Sequence, residues 1–502
     1  MKKFNLFIIT LGVVAVSMSA CNKDWLNPVP ENQLTNSDSI YNDNSNATKF
    51  VDACYTNLLT WQQSSFAWIG VTSITSDDAD KGSSPGDNGS DKDQMDAITY
   101  TPTSSSPSDV WKGNFQGVSN CNQALANIPR FTTLDAATAT RLQGETRFLR
   151  AFYYFNLVRT FGPVPLIDSV IANINEANSP KANRRVATDS IYAFIEEDLN
   201  YAISVLPTRD VQGSNDIGRA NKGAATGLLA KVSLYEKKYQ QAYDLSSQLI
   251  TGAVGTYTLV ADYTTIWREI GENSAESVFE IQGKSGNPDA AIQQYSVVQG
   301  FREPVYADTS MRAFTGWGFN TPSEDLDNAY ETGDVRRNAT IIHLGDTLFD
   351  GVVLKSATSP RYNYKSYVSV TKESYSGNAD LTNKNIRVLR MGEIYLIHAE
   401  AANELGITGE AQISLNAVRH RAKLGDTPAA DQASLRTAIW NERRVELGME
   451  HDRFYDLVRQ GRAGTVLRAQ GKNFVDGKNE VFPIPQSEID ASAGMLTQNP
   501  GY

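Results

Sequence analysis

Residues 144–166 read GETRFLRAFYYFNLVRTFGPVPL, and they constrain the fold more than any other stretch. Between Phe148 and Phe161 only Arg150, Asn156, Arg159 and Thr160 are strongly polar, and these four share no helical face, whereas Phe148, Phe152 and Phe155 do. A helix that is apolar nearly all round is buried on all sides. Gly162 tolerates a left-handed cap and Pro163 cannot continue the hydrogen-bond ladder, so the helix stops there. The chain therefore has to build a helical core around this segment and carry its working surface elsewhere.

Charge and the N-terminus narrow the function classes. A net charge of −11 over 502 residues, with no basic stripe, argues against a nucleic-acid-binding protein. Lys2 and Lys3 precede the apolar run Phe4 to Val16 and the small-residue run Ser17 to Ala20, which is the layout of a signal peptide over residues 1–20. Cys21 follows directly, so the end of the leader resembles a bacterial lipobox, with Met18 in place of the usual Leu. That implies acylation of Cys21 and anchoring by lipid. No other segment approaches the roughly 18 consecutive apolar residues of a spanning helix. Cys54 and Cys121 both fall in expected helices, and buried free thiols are the simpler expectation for them.

Residues 22–45 are polar and rich in Pro and Asn, which predicts a flexible tether between Cys21 and a domain starting near residue 46. A helix is expected over Phe50 to Trp61. Trp68 to Pro107 scatters Asp77, Asp78, Asp80, Asp87, Asp91 and Asp93 among Gly and Ser and reads as a solvated acidic loop. Its letters GSSPG lack the strand and helix that a nucleophile elbow requires, and its Asp spacing does not match a calcium loop. Helices follow at Val110 to Ile128 and Ser190 to Val205. Lys222 to Glu236 with Tyr239 to Ile250, and Leu389 to Leu405 with Gln412 to Lys423, read as two tetratricopeptide-like antiparallel pairs. Between them, about 251–387, short β-leaning runs at Ser277 to Ile281 and Thr340 to Leu344 alternate with Gly, Pro and Asn, among aromatic residues outside any helical stripe.

The C-terminal third carries a resemblance. NERRVELGMEHDRFYDLVRQGRA (Asn441 to Ala463) is similar to the signature of the SusD/RagB family, and FPIPQSEIDASAGMLTQNPGY (Phe482 to Tyr502) is similar to its closing motif. The lipobox, FGPVPL and LRMGEIYLIHAEAANELG fall in that family's order; His451 departs from its usual Gly. The resemblance implies a mostly α fold: tetratricopeptide-like pairs forming a scaffold, with a loop-rich irregular face carrying short strands. The single domain over 46–502 then has an N-terminal helical part to about 250, an insertion over about 251–387 and a C-terminal part over about 388–502. It also implies a nutrient-binding outer-membrane lipoprotein that captures oligosaccharide for a SusC-like TonB-dependent transporter, without catalysis or cofactor. A peptide-binding member of the family and a surface glycosidase with paired carboxylates remain alternatives.

Sugar capture needs flat aromatic faces beside groups that hydrogen-bond hydroxyls. By analogy with family members that bind sugars on loops over the scaffold, Tyr306, Trp317 and Phe319 are the expected platforms and Asp78 and Asp80 the polar partners. The charges at Glu442, Arg443, Arg444, Glu446, Arg453, Asp456 and Arg459 are expected to be structural pairs. His343, His398, His420 and His451 lack the spacing of a zinc site.

Overall fold

A computed structural model describes residues 38–502 apart from 88–89, 309 and 311–313. The expected leader, Cys21 and the tether to residue 37 lie outside the described residues. The rest of the expected tether belongs to the fold: Tyr41 packs edge-on against Phe131 at 5.0 Å and lies under the Arg130 guanidinium.

The principal helices of the N-terminal half are α1 (Ser45–Thr56), α2 (Ser105–Asn127), α3 (Ala136–Phe161), α4 (Thr188–Val205), α5 (Lys222–Tyr235) and α6 (Tyr239–Ile250). The spine expected from sequence is α3. Asp135 caps its start by accepting from the Thr138 amide, and Gly162 ends it at a φ of +69°. From Phe148 to Phe161 every residue except Arg159 is buried, between α4 on one side and α1 and α2 on the other.

The polar residues of the spine are each given partners. Arg150 forms a two-pronged pair with Asp198 of α4 at 2.8 and 2.9 Å and also donates to Asn122. The Thr160 hydroxyl lies 2.6 Å from that of Tyr455. Gly117 of α2 lies against the Tyr153 ring, so close that a Cβ there would collide with it. Paired polar groups and small neighbours let one helix be enclosed, although Asn156 Nδ2 and Arg159 Nε have no partner among the described residues.

The C-terminal helices are α7 (Met391–Glu404), α8 (Thr408–Arg421), α9 (Gln432–Leu447) and α10 (Arg453–Arg459). Both expected helix pairs form, as α5 with α6 and α7 with α8. They are also neighbours, because α6 packs on α7. The stack α3–α4–α5–α6–α7–α8 is therefore continuous in space, although about 140 residues separate its last two pairs in sequence.

Those intervening residues hold nearly all the described strands, arranged as two-stranded ribbons. Four strands matter here: β1 (Ala79–Gly82), β2 (Ser277–Ile281), β3 (Phe319–Pro322) and β4 (Ile386–Arg390). β2 and β4 pair antiparallel and return the chain to the scaffold. Gly227 of α5 faces Leu389 and Val278 of this ribbon with no room for a Cβ.

The acidic segment is not the solvated loop that its composition suggests. Residues 66–69 are helical and 70–74 form a π turn, all buried; β1 follows, and Asp91–Ala97 is another helix. Asp77 is enclosed, its carboxylate bound by Arg453 at 2.8 Å through both oxygens, and Asp78 is bound by Arg444 at 2.8 Å. Buried guanidiniums replace the water that these carboxylates lose.

The signature charges are structural, mostly between elements rather than along one helix. Arg443 joins Asp456 and Glu393, and Arg459 joins Glu400. Glu446, fully buried, accepts from Arg336, Arg390 and Arg421. Burial alone would raise the Glu446 carboxyl, but the three guanidiniums outweigh it and hold the group well below the usual carboxylate range. His451, where the resemblance implies Gly, adopts a φ of +72°, a conformation that costs a non-glycine residue about 1 kcal/mol. It is buried and neutral, its imidazole pushed down to about 4 by burial.

Candidate functional site

The expected binding segments, more than 200 residues apart, are stapled together. β1 and β3 pair antiparallel, with Gly82 opposite Phe319 and Asp80 opposite Thr321. The turn that leaves β1 meets the segment entering β3, and the Ser83 amide donates to the Gly318 carbonyl at 2.6 Å. A side chain at Gly82 would strike that carbonyl, and both glycines have positive φ, +67° and +76°. This close backbone approach depends on glycine at both positions.

Around the junction lies a polar and aromatic rim. The Ser83 hydroxyl is 2.6 Å from Asp87 Oδ2 and 2.8 Å from the Trp317 carbonyl oxygen, so its single proton is shared between two acceptors. Arg302 Nη2 sits 2.9 Å from Asp87 Oδ2, and its Nε donates to Ser84 Oγ at 3.2 Å. The Ser83 hydroxyl and the Ser84 amide, with Arg302 beside them, hold the Asp87 carboxyl below its ordinary range. Ser83, Glu303 and Asn320 are non-glycine residues with φ of +57°, +50° and +55°. Such conformations persist only where surrounding contacts enforce them; for Asn320 the contact is a 2.8 Å bond from its amide to Gln299 Oε1.

Trp317 is half-buried at this rim, with one edge on Phe66 at a centroid distance of 5.8 Å and its amide bound to the Val297 carbonyl. Tyr306 is also half-buried but belongs to a neighbouring ribbon, where Val305–Tyr306 pairs with Leu354–Ser356. It packs against the cluster that contains Phe301 and Tyr362. Burial raises its hydroxyl to about 12, and that oxygen has no partner among the described residues. Asp80 is exposed beside the rim.

Two expected contacts need correction. Phe319 is 3 % exposed and stacks edge-on against Phe66 at 4.9 Å, so it supports the Trp317 loop from below. Asp78 is 2 % exposed and bound to Arg444, which leaves it no reach to a surface ligand. Conversely, sequence reasoning passed over Ser83, Ser84 and Arg302. The Gly-Ser-Ser-Pro-Gly turn was a usable signal for the serines; nothing in the sequence singled out Arg302. Among the described residues no group of three His, Cys, Asp or Glu side chains gathers where a metal ion could be held.

Comparison with known proteins places the fold. The profile of the SusD family matches residues 275–502, and a second profile, described as "Starch-binding associating with outer membrane", matches residues 24–234. A solved laminarin-binding SusD-like protein is 30% identical, with a TM-score of 0.79 over 92% of this chain and 100% of its own. The chain belongs to the SusD family. Among other SusD-like relatives, SusD-like protein P2 of Formosa agariphila is 24% identical over the whole of both chains. Surface glycan-binding protein A of Bacteroides thetaiotaomicron, solved with laminarihexaose, is 25% identical, with a TM-score of 0.75 over 91% of this chain and 99% of its own. The mostly helical scaffold with tetratricopeptide-like pairs is thus the SusD fold, and the signature charges are the buried clamps of this SusD-family chain.

Proposed function

We propose that this chain captures an oligosaccharide at the bacterial outer surface and passes it to a SusC-like TonB-dependent transporter. The observation that carries the reading is the rim itself: a half-buried indole beside serine hydroxyls, a carboxylate and a guanidinium, on loops fixed by the β1–β3 staple. An indole face covers the apolar face of a sugar ring while donors and acceptors meet its hydroxyls. Trp317 is the platform, with Tyr306 and Asp80 as flanking contacts. The second profile's description and the glycan-binding neighbours support this assignment.

Cleavage would need a carboxylic acid held protonated to donate to the leaving oxygen. Asp87 is held below its ordinary range, whereas partial burial and the nearby Asp96 push the Asp80 carboxyl up, so turnover is the observation that separates binding from cleavage. The full-length chain, incubated with plant, host and microbial glycans, is expected to retain one class and to release no reducing ends. Release that is lost on substituting a single carboxylate would overturn the proposal in favour of an enzyme. Co-purification with a TonB-dependent barrel from detergent-solubilised envelopes tests the delivery step separately.

A further inference from the structure

A short helix, Tyr295–Gln299, grips the Trp317 loop at both ends. Its Val297 carbonyl accepts from the Trp317 amide at 2.7 Å, and two residues on, Gln299 Oε1 accepts from the Asn320 side-chain amide at 2.8 Å. Gln299 is itself locked. Its Oε1 also accepts from the Asn363 side-chain amide at 2.8 Å, which fills both lone pairs, and its Nε2 donates to the Tyr295 carbonyl at 3.0 Å. Gln299 is 1 % exposed and Asn320 is fully buried, so neither can touch a surface ligand. Asn320 lies within β3, between Phe319 opposite Gly82 and Thr321 opposite Asp80, yet its φ is +55°. A left-handed residue inside a strand swings the chain out of the strand's line. The residues that inherit the new direction are Phe319, Gly318 and Trp317.

We infer that Gln299 and Asn320 are positioning residues for capture: by holding Asn320 left-handed, Gln299 aims the Trp317 indole at the sugar. The inference rests on Trp317 being the capture platform. Asparagine tolerates the left-handed region better than most side chains but is not confined to it. The bond from a locked glutamine supplies what that preference does not. Alanine at position 320 would lack the bond and carry the steric penalty of its Cβ, so the loop would relax toward extended backbone and Trp317 would spend less time in the binding orientation. Glycine needs no bond, because it adopts positive φ unaided. At a position too buried for ligand contact, affinity should therefore follow backbone freedom: asparagine and glycine alike, alanine weaker.

The test titrates the full-length chain, Asn320→Ala and Asn320→Gly with the oligosaccharide that the glycan panel identifies, reading affinity and stoichiometry separately by calorimetry. Asn320→Ala should bind about fivefold more weakly at unchanged stoichiometry, the factor by which the binding-competent fraction falls when the left-handed state carries its ordinary cost. Asn320→Gly should stay within about twofold of the wild type. Gln299→Met, which removes the acceptor, should weaken binding in the wild-type background and much less in a chain already carrying Asn320→Gly. Equal affinities for Asn320→Ala and the wild type overturn the inference, as do equal losses for Asn320→Ala and Asn320→Gly. A loss that appears as reduced stoichiometry overturns it too, because the chain would then be partly unfolded rather than misaimed. If Trp317→Ala also binds like the wild type, the platform reading fails; if Trp317→Ala alone is weakened, only the positioning fails.

Discussion

Replacing Glu446 with glutamine is expected to lower unfolding free energy by about 4 kcal/mol, because loss of one partner of a buried ion cluster leaves uncompensated charge. Here three guanidiniums, Arg336, Arg390 and Arg421, converge on one fully buried carboxylate and join α8 and α9 to β4. Glutamine keeps the shape and removes the charge. A urea midpoint measured by tryptophan fluorescence reads the loss, and Glu331→Gln is the control. Glu331 also binds an arginine, Arg419, but its side chain is 57% exposed; screening and flexibility should keep its contribution under about 1 kcal/mol. The pH dependence has a defined sign. A carboxylate whose folded pKa is depressed contributes stability above its unfolded value, near 4.3 for Glu, and loses it as pH falls toward the folded value. The wild type should therefore weaken below about pH 4 more steeply than Glu446→Gln. Equal midpoints for Glu446→Gln and Glu331→Gln would mean that the cluster does not clamp the fold.

Phe152→Ala should cost about 3 kcal/mol, the lower end of the range for truncating a buried aromatic ring. Phe152 is 7 % exposed and meets Phe279 of β2 at 6.4 Å and Tyr153 at 6.1 Å, so it ties the spine to the ribbon that returns the inserted segment. It also borders a small cavity of about 50 Å³, shared with Trp68, Leu228 and His451. Truncation enlarges a void that already exists, and the surrounding helices are too well anchored to close over it. The measurement is the same denaturation midpoint; a change smaller than that of Glu331→Gln would contradict the role assigned to the spine.

Much of the scaffold was legible because it rests on local pattern. The all-round apolarity of α3, the small residues of α5 and the Gly162–Pro163 stop each reported their own environment. The two helix pairs were visible for the same reason, but their contact across the inserted segment was not, since no local signal encodes which pairs stack. The acidic segment failed for a physical reason: composition treats Asp77 and Asp78 as hydrated, and the arginines that make their burial tolerable lie more than 360 residues away. The rim was half legible. Trp317 stood out as an aromatic residue off any helical stripe, and Phe319 shared that property but, two residues on, is turned inward by the start of β3. Arg302 acquires its role only once two four-residue strands bring the Ser83–Asp87 turn beside it, and strands that short carry no readable alternation.

The central claim is that the junction of the Ser83–Asp87 turn with the Trp317 loop holds the sugar. Its most direct test is calorimetric titration of the wild type and Trp317→Ala with the oligosaccharide that the glycan panel identifies. The account predicts at least tenfold weaker binding for Trp317→Ala, about 1.4 kcal/mol, in a chain that still folds, with a denaturation midpoint lowered less than that of Phe152→Ala. Undiminished affinity in a folded Trp317→Ala chain would place the site elsewhere on the molecule and contradict the account.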